Sequence, residues 1–454
     1  MKKGIEKLNI TINTLENIKY KINNILFSES DTDIFAMSVW IKVGGINENT
    51  QYSGISHLLE HMIFQGTENN INDINYNSSE EVYKEFDLKG AIFNAQTNRD
   101  YTMYYICCLN NFIDMLVPVL LNLIFNPKLT QETLTQEKAI VIQEVDSKKS
   151  NPLFKAMHCF ETNIFKNYIL SQDVGGSHES INNITLPVLK EFYNKYYNFN
   201  NIVISITSKQ SCKNKFITIL ETTLQNLYTN KPTLCTSHPL HNNTQLHTNI
   251  SHLDNPDLLT QYTPEKYNSI LTSKLESNNI IININDKAKQ TTIVFGFLWK
   301  LCDRVYSKIL QIILGSLTSS RLFKRLRTDE KLVYSVKSDF DRFKYGSVIQ
   351  VNTICHTDNY TNVINAIQDE LSLLCEGIID ESELKETKEK IINAGKMNII
   401  NSLIKSLYYG KEYMYTGKCE SYENYIESIN SVTLDKVKEE FKQIGKNRKF
   451  IVSI

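Results

Sequence analysis

The sequence lacks an excess of charge of either sign, and it has no uninterrupted apolar run long enough to cross a bilayer. Its formal net charge is −1 at pH 7, which gives no electrostatic reason to expect nucleic acid or an anionic membrane as a partner. The longest apolar run, around 115–125, is short and is interrupted by Pro118 and Asn122. The N-terminal residues include lysines but no apolar core and no cleavage site, so we expect no secretory signal. A soluble protein of the bacterial cytoplasm is predicted, with an organelle matrix as the alternative.

CxxC spacings are also absent, although the chain has nine cysteines. An odd number of cysteines without paired spacing predicts reduced thiols in a cytosolic or matrix compartment. The 454 residues, 41% of them hydrophobic and 22% charged, describe a soluble globular chain that is too long for one core. We therefore expect at least two domains.

The segment Ser53–Gly66 contains two histidines and a glutamate in the order H-x-x-E-H. At about 100° per residue, His57, Glu60 and His61 share one narrow sector of a helix. The opposite sector carries apolar side chains, namely Ile55, Leu58, Leu59, Met62 and Ile63. Histidines four residues apart can bind one zinc ion, and Glu60 is placed to accept a proton from water. The motif alone leaves open a solvated helix face that happens to carry two histidines.

Two later glutamates have the spacing of a helical stripe. Glu137 and Glu144 are seven residues apart, so they project from the same side of a predicted helix, together with Ile140 and Val141. A carboxylate inside an apolar stripe is unfavourable unless it is paired or bound to a metal. A nearby zinc ion would remove that penalty.

These motifs resemble the inverted-zincin peptidases, the family of pitrilysin, insulin-degrading enzyme and the mitochondrial processing peptidase. In that family H-x-x-E-H is followed by two glutamates seven apart, the second of which binds the metal. The resemblance implies that His57, His61 and Glu144 hold one Zn²⁺ per chain and that Glu60 is the catalytic base. It also implies that Glu137 orients the cluster from outside the ligand set.

Two further segments match the family. Gly90–Tyr105 resembles its Gly-x-x-x-Asn-Ala-x-Thr strand, an edge that binds the substrate as an added β-strand, and the resemblance assigns Asn94 and Ala95 to that contact. Taken alone, the segment is an aromatic-rich strand. Arg327 and Tyr334, again seven apart, resemble the Arg/Tyr pair that binds the substrate carbonyl and stabilises the oxyanion. Without the resemblance, Arg327 would be an ordinary surface cation.

The chain contains an internal duplication. Residues 180–191 recur as 428–439, each as a predicted helix followed by a β-rich run. Ser307–Gly315 occupies the position of the H-x-x-E-H helix in the second half and has no histidine. We predict a zinc-binding domain at 1–229, a polar linker at 230–289 and a related metal-free domain at 290–454. The histidine-containing run 238–252 is interpreted as part of the linker, because Pro239 and polar residues break any regular ligand spacing.

The resemblance implies an α+β fold with two related domains, each a mostly antiparallel sheet covered by helices, arranged as a clamshell around a chamber. The expected function is zinc-dependent endopeptidase activity on extended peptides or unfolded precursor segments. The alternatives are a non-catalytic structural or assembly subunit and a chamber protein that binds zinc without cleaving. A homodimer, or a heterodimer with a related subunit, is also expected, with Arg327 and Tyr334 reaching the partner's zinc.

Overall fold

The structure is a computed structural model that describes residues 5–13, 19–71, 73–166, 168–235, 289–300, 304–343, 346–444 and 449–454. The described residues divide into two units. The first unit holds the residues up to Val145, those at 172–235 and Met397–Ser421, and the second holds 146–171, 289–396 and the residues from Tyr422 onward. Most of the predicted linker, including the histidine-containing run 238–252, lies outside the described residues.

The first unit is built on a six-stranded sheet. Its strands are β1 (Ile5–Asn13), β2 (Lys19–Glu29), β3 (Ile34–Ile41), β4 (Ile92–Thr97), β5 (Thr102–Leu109) and β6 (Ile202–Ser208). They are ordered β1-β2-β6-β3-β5-β4. Only β2 and β6 pair in parallel, and the other neighbours are antiparallel. The central strand β6 is buried along its whole length, as expected for a strand covered on both faces.

The second unit is built on a four-stranded antiparallel sheet. Its strands are β7 (Gln290–Lys300), β8 (Val333–Phe343), β9 (Gly346–His356) and β10 (Lys449–Ser453). They are ordered β10-β7-β9-β8, so β8 lies at one edge as β4 does in the first sheet. Sheets of this kind, together with their helices, confirm the predicted α+β fold of two related, mostly antiparallel units.

Helices surround both sheets. In chain order they are α1 (Ile55–Ile63), α2 (Ser79–Asp87), α3 (Ile113–Phe125), α4 (Gln131–Ser150), α5 (Pro152–Ile164), α6 (His178–Asn183), α7 (Leu186–Tyr196), α8 (Lys213–Asn230), α9 (Arg304–Leu314), α10 (Tyr360–Cys375), α11 (Glu381–Ile399), α12 (Ser402–Thr416), α13 (Tyr422–Asn430) and α14 (Leu434–Ile444). A π-helical segment, Phe323–Asp329, precedes β8. In the described part of the chain, none of the helices is long and apolar enough to cross a membrane.

A helix from the second half of the sequence covers the first sheet. Helix α12 packs on β3 and β6. At this contact the Ser406 hydroxyl donates to the Ser205 carbonyl at 2.7 Å and lies 3.0 Å from the Ser38 hydroxyl. Any side chain at Gly410 would collide with the indole of Trp40. Close packing of a helix on a sheet therefore assigns 397–421 to the first unit.

The reverse exchange places α5 on the second sheet. Phe160 of α5 is fully buried, and its ring would contact a Cβ atom placed on Gly296 of β7. The same ring meets Phe450 of β10 edge to face, with the ring centroids 6.5 Å apart. The units thus differ from the predicted boundaries 1–229 and 290–454 in two segments, because each sheet buries a helix from the other half of the sequence.

The duplicated segments have the same local structure. Residues 180–191 lie in α6 and α7, which precede β6, and residues 428–439 lie in α13 and α14, which precede β10. The correspondence extends further: α4 and α5 are separated by the helix-capping residue Asn151, and α11 and α12 by the helix-capping residue Asn401. Each half therefore repeats a long helix, an exchanged helix and a helix pair that leads into a strand.

Candidate metal centre and peptidase site

Helix α1 presents one apolar face and one chemical face, as its sequence predicts. The apolar side chains are fully buried, namely Ile55, Leu58, Leu59, Met62 and Ile63. His57, Glu60 and His61 are half-buried on the other side of the helix. Burial of five apolar residues on nine helical positions fixes the rotation of α1, and that rotation determines where the two imidazoles point.

Helix α4 supplies the third candidate metal ligand. The Glu144 carboxylate approaches both imidazoles, with Oε2 at 3.6 Å from His57 Nε2 and Oε1 at 3.7 Å from His61 Nε2. Two ligands bound tetrahedrally to zinc at its usual bond lengths are separated by about 3.4 Å. The three residues offer ligand atoms that all lie within 4.8 Å of one another. Two nitrogens and one oxygen at these separations fit a zinc ion that keeps a fourth position open.

Glu137 lies behind the cluster and does not point into it. It is 5% exposed, and its Oε2 atom is 3.1 Å from His61 Nδ1. Its other oxygen accepts a hydrogen bond from the Gln65 amide at 2.8 Å. Val141 is buried beside this side of α4, whereas Ile140 is exposed, so the apolar stripe is narrower than predicted.

The contact between His61 and Glu137 decides which nitrogen can bind a metal. With Nδ1 donating to the carboxylate, Nε2 is left as the free acceptor on the side of Glu144. Burial alone would lower the pKa of His61, but the three carboxylates around it outweigh that effect and raise the pKa. A cation is therefore favoured at this point, and a bound metal would supply the positive charge in place of the proton.

Glu60 has a different environment from the two ligating candidates. Burial raises the pKa of its carboxyl group, and the hydrogen bond from Thr97 and the nearby His61 only partly offset that shift. The Thr97 hydroxyl, at the end of β4, donates to Glu60 Oε2. A carboxylate with a raised pKa, held in position beside the candidate metal centre, is suited to exchange a proton near neutral pH.

Strand β4 leaves one side available for a peptide. It pairs with β5 on one side and ends the sheet on the other. Its outward face is exposed, including Asn94, while Phe93, Ala95 and Thr97 alternate toward the helices. The Ala95 amide donates to the Asn94 side chain at 2.8 Å, so an added strand could take over that donor.

Arg327 and Tyr334 lie together in the second unit. The Arg327 guanidinium donates to the Tyr334 carbonyl and lies 4.4 Å from the centre of the Tyr334 ring. Tyr334 falls at the irregularity between Val333 and Val336, where β8 slips against β9, and it is 82% exposed. A β-bulge and a π-helical segment both occur often at functional sites. They bring the predicted pair together on the surface of this unit.

Gln65 and Thr97 complete the first-unit site, and neither was singled out from the sequence. Thr97 stands in the final position of the Gly-x-x-x-Asn-Ala-x-Thr pattern, which could have indicated it. Gln65 follows His61 by four residues but lies beyond the end of α1 at Ile63, so no helical pattern in the sequence indicates it. Their partners, Glu60 and Glu137, come from distant parts of the sequence.

Two histidines and one carboxylate form a ligand set that also occurs in zinc peptidases. Family models describe the same regions: one named insulinase (peptidase family M16) matches residues 25–173, and one named peptidase M16 inactive domain matches residues 183–391. The chain belongs to peptidase family M16. The predicted kinship with the insulin-degrading enzyme family is thereby confirmed.

Individual relatives agree with this assignment. A protein of Rickettsia felis, named an uncharacterised zinc protease, is 24% identical over 95% of this chain and 94% of its own length. A Bacillus subtilis protein with the same description is 25% identical over 88% of each chain. The crystal structure of a Helicobacter pylori protease aligns with a TM-score of 0.78 at 17% identity, covering 99% of this chain and 98% of that one. The last similarity shows the fold.

Proposed function

We propose that this protein is a zinc-dependent endopeptidase that hydrolyses extended peptides or unfolded precursor segments. The observation that carries the proposal is the convergence of His57, His61 and Glu144 from two helices at zinc-ligand separations, with Glu60 beside them. One zinc ion per chain would be held by these three residues, with Glu137 fixing the tautomer of His61. Zinc at this position would act as a Lewis acid that lowers the pKa of water.

The residues of the chain account for the remaining steps. The exposed edge of β4 binds the substrate backbone as an added strand, with Asn94 and Ala95 at the contact. Glu60 takes a proton from the attacking water and returns it to the departing amine, while the Thr97 hydroxyl holds one of its oxygens. Arg327 and Tyr334 provide donors for the substrate carbonyl and for the charge that develops on its oxygen.

The direct test measures metal content and peptide turnover in the same preparation. The purified protein should contain about one zinc per chain and should cleave a mixture of unfolded peptides, with mass spectrometry identifying the cleaved bonds. Chelation should abolish cleavage, and added zinc should restore it. A preparation that holds stoichiometric zinc without cleaving any peptide would contradict the peptidase proposal.

The second candidate is a non-catalytic structural or assembly subunit. The family model over 183–391 is named an inactive domain, which favours a non-catalytic role for the second half of the chain. The intact cluster in the first unit favours the enzyme, because a scaffold does not need three converging ligands. Little or no zinc in the purified protein would favour the subunit.

A dimer with sites shared between chains is part of the proposal. Arg327 and Tyr334 belong to the second unit, whereas His57, His61 and Glu144 belong to the first, and a partner chain could supply the Arg/Tyr pair to the proposed zinc site. Mixing inactive His57→Ala and inactive Tyr334→Phe chains should restore part of the activity, since a mixed dimer contains one complete site. If subunits exchange and the mixture stays inactive, the site is built within one chain.

A further inference from the structure

A buried carboxylate that the proposed reaction does not use lies at the N-terminus of α1. Glu48 is 3% exposed. Its Oε2 atom accepts a hydrogen bond from the Gly54 amide at 2.7 Å, and its Oε1 atom accepts one from the Ser56 amide at 2.8 Å. The two oxygens thus bind the backbone on either side of the first residue of the helix.

The helix cannot provide its own cap at this point. Its N-cap residue is Gly54, which has φ of 91° and no side chain to accept from the first turn. A Cβ atom there would lie 2.8 Å from the Gly175 carbonyl oxygen and 2.9 Å from the Gly176 Cα atom. Glycine is therefore required by the left-handed backbone and by the close approach of 175–176. The capping acceptor has to come from elsewhere, and Glu48 supplies it.

The first turn of α1 needs such an acceptor. The helix has nine residues, a length at which an isolated helix is marginal, and its first amide groups have no partners within the helix. A carboxylate at this end also interacts favourably with the helix dipole. His57 comes immediately after Ser56, so the amide that Glu48 binds fixes the backbone from which His57 projects.

Glu48 stays in this position although burial disfavours its charge. Burial, and to a smaller extent the nearby Asp173, raises the pKa of its carboxyl group to about 7, although the hydrogen bonds from Gly54 and Ser56 act in the opposite direction. An acidic group buried at such a cost is more frequent at functional sites than elsewhere.

We propose that Glu48 is a positioning residue for the metal centre, which fixes the first turn of α1 so that His57 and His61 meet the Glu144 carboxylate. This inference rests on the proposed zinc site, and it extends that site to a residue that touches neither metal nor substrate. Glu48 acts on the metal ligands through the backbone of α1 and not through a hydrogen bond to any of them.

The test is the near-isosteric change Glu48→Gln. One glutamine oxygen can still accept from an amide, but its NH₂ group then faces the other amide donor, so one of the two bonds is lost. Zinc affinity, measured on the metal-free protein by competition with a chelating indicator, should fall about tenfold or more, as for other residues that orient ligands. The visible absorption of bound Co²⁺ should change, and at saturating zinc kcat should fall while KM stays constant.

The matched control is Asn401→Ala, which removes the cap of α12 in the same unit. The Asn401 side chain accepts from the Ile404 amide of its own helix at 3.1 Å. This variant should keep wild-type zinc affinity and the wild-type Co²⁺ spectrum, although it loses stability. If Glu48→Gln does not fold, Glu48→Asp keeps the charge but withdraws the carboxylate, and it should show the same loss of affinity.

Wild-type zinc affinity and an unchanged Co²⁺ spectrum in the Glu48 variants would overturn the inference. An equal loss of affinity in the Asn401 variant would also overturn it, because the effect would then follow general stability. These outcomes are separate from the test of the peptidase proposal. A protein that binds zinc but cleaves no peptide would contradict the enzyme and would still report on Glu48 through its affinity and spectrum.

Discussion

The two halves of the chain place different chemistry on corresponding helices. The separation between Asn151 and Asn401 is the same as that between His57 and Ser307, so α1 corresponds to α9 and α4 to α11. In this register the positions of the candidate metal-site residues His57, Glu60, His61, Glu137 and Glu144 are occupied by Ser307, Leu310, Gln311, Thr387 and Ala394, respectively. The same framework is therefore retained without any of the five groups that are proposed to build the metal site.

In the second unit, the residue that corresponds to His61 forms hydrogen bonds within its own unit. The Gln311 amide donates to the Ser338 carbonyl of β8 at 3.1 Å, and its oxygen accepts from Lys308 at 3.0 Å. Leu310, which takes the place of Glu60, is fully buried. In the first unit, by contrast, β4 supplies a hydroxyl to Glu60. In both units a helix packs beside the edge strand of the sheet, and the two helices differ in the few side chains that are proposed to bind the metal.

The largest effect on zinc binding and activity is expected when His57 of α1 is replaced by serine, the residue at the corresponding position of α9. His57→Ser should reduce bound zinc to below about one-tenth per chain and abolish peptide cleavage, because two ligands do not hold the ion tightly. Metal analysis after dialysis measures this. Gln311→Ala in α9 is the control and should leave both zinc and activity in place. Equal loss in both variants would mean that the two helices do not differ in function.

Glu60→Gln separates zinc binding from catalysis in the unit that contains the candidate metal site. The amide keeps the shape but not the basicity, so zinc content should remain near one per chain while kcat falls by about 10²–10⁴-fold. Metal analysis and single-turnover cleavage of one peptide provide the two readings. Loss of zinc, or activity close to wild type, would show that Glu60 is not the base.

The two glutamates of α4 should differ in how strongly their replacement reduces zinc binding. Glu144→Gln should remove most of the zinc, whereas Glu137→Gln should retain most of it and lower activity by about ten- to a hundredfold, through the orientation of His61. Zinc titration of both metal-free variants gives the ranking. The reverse order would exchange the roles of the two carboxylates.

The smallest effect is a pH dependence of stability that depends on Glu48. Its pKa in the folded protein, about 7, lies above the usual value of 4.5, so the folded state binds the proton more tightly than the unfolded state. This contribution to stability is present below pH 4.5 and is lost as the pH rises through 7, by up to ~3 kcal/mol. The stability of the metal-free wild type relative to metal-free Glu48→Gln should therefore decline between pH 5 and pH 8. Urea unfolding at both values measures it, and a constant difference would contradict the assigned pKa.

The spacing of residues in the sequence was sufficient to predict that the candidate ligands cluster, but not which residue fixes the helix that presents them. The 3.6-residue helical period places His57 and His61 on one face and Glu137 and Glu144 on another, and the structure brings His57, His61 and Glu144 together. Glu48 could not be found in this way, because its partners are backbone amides whose direction depends on the left-handed Gly54. A side chain that binds main-chain atoms leaves no pattern of residue types in the sequence.

For the fold, too, the sequence predicts features that depend on neighbouring residues but not contacts between distant segments. The repeat of 180–191 at 428–439 correctly indicated two related units. The exchange of α5 and α12 was not visible, because both helices have an ordinary amphipathic pattern that says nothing about which sheet they cover. Their partners, such as Gly296 for Phe160 and Trp40 for Gly410, are far away in the sequence.

The exchange of these helices has a consequence for how the gene could be divided. An isolated N-terminal half would leave one face of its sheet without α12, exposing a group of side chains that are buried in the whole chain, namely Leu26, Trp40, Tyr101, Met103 and Val203. An isolated C-terminal half would lack α5 and expose the matching surface around Gly296. We expect two separately expressed halves to be poorly soluble alone and to regain a native structure only by co-assembly, because each half contains the helix that covers the sheet of the other.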